Sequence, residues 1–168
     1  MIKYLILDVD GTLTDGSIIY DLHGNELKKF NTKDGTGINL TRAAGIKVVV
    51  ITGRESTATE KRMNELHIDE LFQNIKHKEI FVSKWMSSHY LERQDVGYIG
   101  DDLNDFMAMQ LCGFIGCPSD ANDEVLKIAT IVSNVCGGDG VVRDIMQRYI
   151  QSQGLWTKTL HALYNMGI

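Results

Sequence analysis

A doubly wound α/β domain with a mainly parallel, Rossmann-like sheet is the fold class this sequence predicts, on three observations. Short apolar runs alternate with helical patterns, the runs are apolar at consecutive positions, and three of them end in acidic or hydroxyl-bearing residues. Strands buried on both faces fit a parallel sheet covered by helices on both sides. Repeated strand-then-helix order points to the doubly wound arrangement.

The first strand is expected at residues 4–7, where Tyr4-Leu5-Ile6-Leu7 runs into Asp8. Residues 17–31 break the rhythm: Ser17 to Tyr20, a turn around Gly24, then Glu26 to Asn31 form a β-hairpin pattern. Directly after the acidic end of the first strand, this hairpin is placed to stand as a flap beside a site there. A helix is expected over 36–44, with Gly45 as its C-cap. Val48-Val49-Val50-Ile51 is the next strand, ending in Thr52. Helices at 57–66 and 79–90 follow with a short strand between them, then a strand at 96–99 that ends in Gly100-Asp101-Asp102. A helix over 103–111, a strand at 114–115, a helix at 122–129, a strand at 128–132 and a helix at 141–151 complete the pattern. Residues 1–153 form one expected domain without a cap. Residues 154–168 form a C-terminal tail with Trp156, Leu160 and Leu163 at helical spacing. That apolar stripe suits either packing on its own domain or contact with a neighbouring subunit.

A chain of 168 residues is long enough for one domain with a sizeable core. Its formal net charge of -5 argues against nucleic acid as a partner, and means that cations for an anionic substrate must be placed locally. Cys112, Cys117 and Cys136 are too few and too irregularly spaced for a disulfide framework or a zinc site. No stretch approaches the roughly 20 apolar residues of a membrane span, and the N-terminus carries no signal pattern, so the expected location is the cytoplasm, away from membranes.

In open α/β sheets ligands bind outside the carboxyl ends of the strands. Here those ends carry Asp8-Val9-Asp10, Thr52-Gly53-Arg54 and Gly100-Asp101-Asp102. Carboxylates at positions i and i+2 share one side of an extended chain, so Asp8 and Asp10 can divide labour, one attacking and one handling protons. An Asp-capped turn explains the same residues structurally. Asp101, Asp102 and Asp105 form a cluster of hard oxygen ligands suited to Mg²⁺; capping of the following helix explains one or two of them. Thr52 is a hydroxyl donor at a strand end, and Lys78, at a helix start, is a compact charge suited to phosphate.

The ordered set Asp8-x-Asp10-Gly11-Thr12, Thr52-Gly53, Lys78 and Gly100-Asp101-Asp102-x-Asn104-Asp105 resembles the four motifs of the haloacid dehalogenase superfamily, in its phosphatase branch. The resemblance implies Mg²⁺ as cofactor and a hydrolysis through an aspartyl-phosphate. Asp8 would be the nucleophile and Asp10 the acid and base. Asp8, the Asp10 backbone carbonyl and Asp101 would bind the metal. Thr52 and Lys78 would hold the phosphate, with Asp102, Asn104 and Asp105 in support. The gaps of 42 positions from Asp10 to Thr52 and 26 from Thr52 to Lys78 leave no room for the superfamily's cap domain.

A finer resemblance, on residues 28–38, 71–73 and Gly137-Gly138-x-Gly140-x-x-Arg143, is to the superfamily's sugar-acid phosphatases, which are homotetramers and include enzymes of lipopolysaccharide biosynthesis. It implies a sugar-acid phosphate as substrate, with 3-deoxy-D-manno-octulosonate 8-phosphate favoured by Arg54 and a nononate or acylneuraminate 9-phosphate as the alternative. Lys33, Arg54 and Arg143 are the candidates to bind the substrate carboxylate. His77 precedes Lys78 where relatives carry Asp or Asn, which would alter how Lys78 is held. From a different class, a non-enzymatic phosphoacceptor domain also gathers Asp, Thr and Lys around a parallel sheet, but lacks a carboxylate placed as Asp10 is.

Overall fold

The structure is a computed structural model in which residues 1–166 are described. At its centre, β1 (Tyr4–Leu7) pairs in parallel with β4 (Lys47–Ile51) on one side and β6 (Val96–Ile99) on the other. Adding β5 (Glu70–Phe72), β7 (Phe114–Cys117) and β8 (Ile131–Val132) gives one six-stranded sheet in the order β5-β4-β1-β6-β7-β8. All its pairings are parallel. The chain winds outward from β1 through β4 to β5, then returns to β6 on the other side, so the order reverses beside β1. Such a reversal opens a crevice at the carboxyl ends of the strands. The register sets Leu7 level with both Val50 and Ile99, so Asp8, Thr52 and the Gly100-Asp101 turn leave the sheet at one edge.

Successive strand residues point to opposite faces, and the core divides accordingly. Leu5, Leu7, Val48 and Val50 pack on one face with Ile38 of α1 (Thr32–Ala43), Met63 of α2 (Thr57–Glu65), and Ile145 and Met146 of α6 (Val141–Ser152). Ile6, Val49 and Ile51 pack on the other with Val82 and Trp85 of α3 (Lys78–Ser88), Met109 of α4 (Leu103–Met109) and Val125 of α5 (Asp123–Ile128). Each such aliphatic side chain contributes about 1.5–3 kcal/mol on burial.

Several predicted boundaries move, for local reasons. Helix α1 begins at Thr32, four positions ahead of expectation, because Asn31 caps it by accepting from the Lys33 N–H at 2.9 Å. Helix α5 runs to Ile128 from its Asn122 cap, which leaves only Ile131–Val132 of the expected 128–132 strand. In the tail, α7 (Trp156–Tyr164) packs on its own domain. Leu160 is buried in the first core cluster, with Trp156 and Leu163 against it. The last two residues of the tail lie outside those described.

The hairpin forms as β2 (Ile19–Tyr20) and β3 (Glu26–Leu27), antiparallel, with Ile19 opposite Leu27 and Tyr20 opposite Glu26. Asp21 fixes its turn by accepting from the N–H groups of His23 and Asn25, and Gly24 supplies the positive φ of 81°. Among the described residues, no helix is long and apolar enough to cross a membrane.

Candidate active site

Asp8 is the first residue beyond β1, and its N–H donates to the Ile99 carbonyl at 3.0 Å, which extends the sheet by one bond. Its carboxylate is buried and accepts from Lys78 Nζ at 2.7 Å. The same ammonium donates to Asp105 Oδ1 at 2.6 Å, and Tyr98, inside β6, donates its hydroxyl to that oxygen at 2.7 Å. Burial opposes the charge on Lys78, but Asp8 and Asp105 together hold its pKa above the ordinary lysine value. Burial, and then the charge of Asp105, push the Asp8 carboxyl well above the usual range against the pull of Lys78.

Asp101 leaves β6 beside this group. Its carboxyl is pushed up to about 7, first by burial and then by Asp105, while the Thr12 hydroxyl donates to it at 3.1 Å. Gly11 lies against it: at φ +95°, a Cβ here would stand 2.0 Å from Asp101 Oδ2. Oxygens of Asp8, Asp101 and Asp105 all lie within 4.8 Å of one another. Three carboxylates around one ammonium leave surplus negative charge in a buried place, and the raised carboxyl pKa values express it. A hard divalent cation such as Mg²⁺ fits both the charge and the all-oxygen donor set. Asp105 has both oxygens engaged, Oδ1 by Lys78 and Tyr98 and Oδ2 by the Asp101 N–H at 3.3 Å, whereas among the described residues Oδ2 of Asp8 and Oδ2 of Asp101 accept no hydrogen bond and can turn to an ion.

Asp10 is part-buried and its Oδ1 accepts from Lys28 Nζ, on the hairpin. Lys28 also lies 3.1 Å from Glu26 Oε1, and Glu26 Oε2 accepts from Arg54. Hydrogen bonding from Arg54, opposed by burial, and then the bond and charge of Lys28 draw the Glu26 carboxyl below its usual range. The flap is therefore stitched to the strand tips by alternating charges, Asp10–Lys28–Glu26–Arg54. Sequence reasoning placed the flap but missed Lys28 and Glu26. Their i, i+2 spacing places them on one side of an extended chain, with Leu27 exposed between them, but so short a segment carries too little pattern to single them out.

Thr52 is buried just past β4, and its hydroxyl oxygen accepts from the Arg54 N–H at 3.3 Å. Asp102 does not join the cluster: it is exposed and caps α4, accepting from the Leu103 N–H at 2.8 Å. Asn104 is exposed as well. Of the three supporting residues expected, the fold brings in only Asp105, one turn further into the helix. His77 is exposed, and its nearest carboxylate is Glu79 at 3.9 Å; Lys78 is held by Asp8 and Asp105 without it. Among the candidate carboxylate binders, Arg54 lies against the flap, whereas Arg143 donates to Gln147 at 3.0 Å and Lys33 is exposed beside Gly140.

The glycine-rich turn ahead of α6 has a buttressing place that spacing alone did not disclose. A Cβ on Gly137 would stand 2.0 Å from the Gly11 carbonyl oxygen, and the Gly138 N–H donates to the Thr12 carbonyl at 3.1 Å. The turn braces the loop that carries Asp8 and Asp10. Asp34 holds the start of α6 by accepting from the Val142 N–H at 2.8 Å.

Comparison with known proteins follows the same outline. The polynucleotide kinase PNKP phosphatase domain family matches residues 2–103, and the haloacid dehalogenase-like hydrolase family matches 70–145. The 3-deoxy-D-manno-octulosonate 8-phosphate phosphatase KdsC of Escherichia coli is 37% identical over 153 residues, covering 91% of this chain and 81% of that protein. The cobalt-bound deoxy-D-mannose-octulosonate 8-phosphate phosphatase of Haemophilus influenzae superposes with a TM-score of 0.86 at 35% identity, covering 93% of this chain and 91% of that one. The Moraxella catarrhalis 3-deoxy-D-manno-octulosonate 8-phosphate phosphatase, in complex with magnesium, phosphate and KDO, superposes with a TM-score of 0.90 at 31% identity, covering 95% and 91%.

Proposed function

The chain belongs to the haloacid dehalogenase-like hydrolases, in their capless branch, and on that premise we propose a magnesium-dependent phosphatase that hydrolyses 3-deoxy-D-manno-octulosonate 8-phosphate. The observation that carries the reading is the buried Asp8–Lys78–Asp105 group at the strand tips, with Asp101 beside it and Asp10 two residues on.

Phosphoryl transfer needs mainly positioning and charge neutralisation. Asp8 and Asp101 with the Asp10 backbone carbonyl would hold Mg²⁺, which when bound neutralises charge on the phosphoryl oxygens. Lys78 and the Thr52 hydroxyl hold the phosphate, and Asp105 and Tyr98 fix Lys78 in place. Attack requires Asp8 as the carboxylate. Burial disfavours that form, and the adjacent ammonium favours it. An Asp8 oxygen bonds to phosphorus as the bond from phosphorus to the sugar oxygen breaks, and the departing oxygen takes a proton from Asp10. Asp10 then takes a proton from water as the water oxygen bonds to phosphorus and the Asp8–phosphorus bond breaks, releasing inorganic phosphate and restoring both carboxyl groups.

Arg54, at the flap, is the cation best placed to meet the substrate carboxylate. A cytoplasmic homotetramer is part of the same reading. The exposed apolar hairpin residues Ile18, Ile19, Tyr20, Leu22 and Leu27 support it as a subunit contact, and light scattering measures the mass directly. The activity is tested by a panel of sugar-acid phosphates assayed with Mg²⁺ and with chelator. The expected result is the highest kcat/KM on the octulosonate 8-phosphate, lost with chelator and restored by Mg²⁺. A higher kcat/KM on a nine-carbon 9-phosphate overturns the substrate, and metal-independent turnover overturns the chemistry.

A further inference from the structure

Lys28 has no part in the steps above, yet its side chain is only 2% exposed and contacts the acid residue Asp10. Lysine is almost never buried unless paired, and a flap that merely covered the site would need no ammonium aimed beneath it. Burial alternates along residues 26–30, from β3 into the segment after it: Glu26, Lys28 and Phe30 are half-buried, while Leu27 and Lys29 are exposed. Asp10 sits in a loop beyond a strand end, where a carboxylate without a partner has several rotamers open to it. Lys28 fixes Oδ1, and Oδ2 accepts no hydrogen bond among the described residues. Glu26 holds Lys28 in turn, and Arg54 holds Glu26.

We propose that Lys28 is a positioning residue, holding the Asp10 carboxyl in the orientation from which its free oxygen serves the leaving group. This rests on the reading of Asp10 as the acid. The proton passes from Asp10 to the departing oxygen as the phosphorus–oxygen bond breaks, and Lys28 keeps its own protons throughout. Positioning of this kind matters in proportion to how much the leaving oxygen needs a proton. A sugar alkoxide needs one; p-nitrophenolate departs without.

The test compares kcat/KM for the sugar-acid phosphate and for p-nitrophenyl phosphate, at saturating Mg²⁺, in the wild type and in Lys28→Met, Lys28→Arg, Glu26→Gln and Asp10→Asn. Lys28→Met should lower the sugar-phosphate value about tenfold to a hundredfold, a part of the roughly 10²–10⁴-fold that general acid catalysis supplies, and the aryl-phosphate value by less than about threefold. Lys28→Arg should restore most of the loss. Glu26→Gln, which loosens Lys28 without deleting it, should show a smaller split of the same sign, and it decides the matter should Lys28→Met fail to fold. Equal losses on both substrates, or no recovery with arginine, overturn the proposal. A split in Asp10→Asn without one in the Lys28 variants overturns Lys28 alone. No split in Asp10→Asn overturns the acid role and this inference together.

Discussion

Lys78 Nζ lies 2.7 Å from Asp8 Oδ1 and joins the first residue of α3 to the first residue beyond β1, across 70 positions of sequence. The ammonium is shared with Asp105 and fully enclosed. Removing it leaves two buried carboxylates facing each other without a counter-charge. Lys78→Met is expected to cost about 3–5 kcal/mol of folding stability in metal-free protein, measured by urea unfolding. Loss of the ammonium proposed to hold the phosphate should also lower kcat about a hundredfold or more.

Gly11 and Gly24 both hold positive φ, but only Gly11 has a neighbour. A Cβ there meets Asp101 Oδ2 at 2.0 Å, whereas a Cβ on Gly24 would have nothing within 4 Å among the described residues. Gly11→Ala should weaken Mg²⁺ affinity about tenfold or more by displacing Asp101, one of the carboxylates proposed to hold the ion. Gly24→Ala should cost only the backbone strain of about 1–2 kcal/mol and leave the affinity unchanged. Titration calorimetry on both variants reads the difference.

Asp34 is buried, and burial pushes its carboxyl up to about 6 despite the backbone N–H groups of Val142 and Arg143, with Asp139 adding to the rise. Its folded pKa therefore lies above the unfolded value of about 3.9. The folded state binds the extra proton, so the stabilising contribution is complete below about pH 4 and is lost as pH rises through about 6. The loss is on the order of 3 kcal/mol. Asp34→Asn keeps an acceptor for the Val142 N–H and removes the charge. It should be more stable than wild type at pH 8, and the gap should close toward pH 4. Thermal unfolding of both proteins across that range isolates Asp34 from Asp8 and Asp101, which shift in the same direction in each.

Arg54 is 39% exposed and already paired with Glu26, so a substrate carboxylate must compete for it. Arg54→Ala should raise KM for the sugar-acid phosphate about tenfold, as expected for a lost hydrogen bond to a charged group, and leave KM for p-nitrophenyl phosphate nearly unchanged. Steady-state kinetics on the two substrates checks this.

The strand-tip residues were legible in the sequence because runs apolar at every position stop abruptly at Asp8, Thr52 and Gly100, and a parallel sheet aligns such ends. Lys78 and Asp105 followed from the ordered motifs. Asp102 and Asp105 were not separable by type, since the choice between them is geometric: the N-cap residue faces solvent, and the residue three further on turns toward the sheet. Tyr98 was hidden in an apolar strand, where its hydroxyl is invisible to periodicity. Lys28 and Glu26 were illegible for another reason. Strands of two residues carry almost no local signal, and these side chains matter only once the hairpin folds back on Asp10. Asp34 likewise depends on contact between helices more than 100 positions apart.

That a phosphoryl group rests on Asp8 during turnover is tested most directly by rapid acid quench of the Mg²⁺-loaded protein with substrate, followed by peptide mass spectrometry. The expected result is one phosphoryl group on the peptide carrying Asp8, released by hydroxylamine and missing from Asp8→Asn, which should also be inactive. Undiminished turnover by Asp8→Asn, or a phosphoryl group found on a different residue, would contradict it.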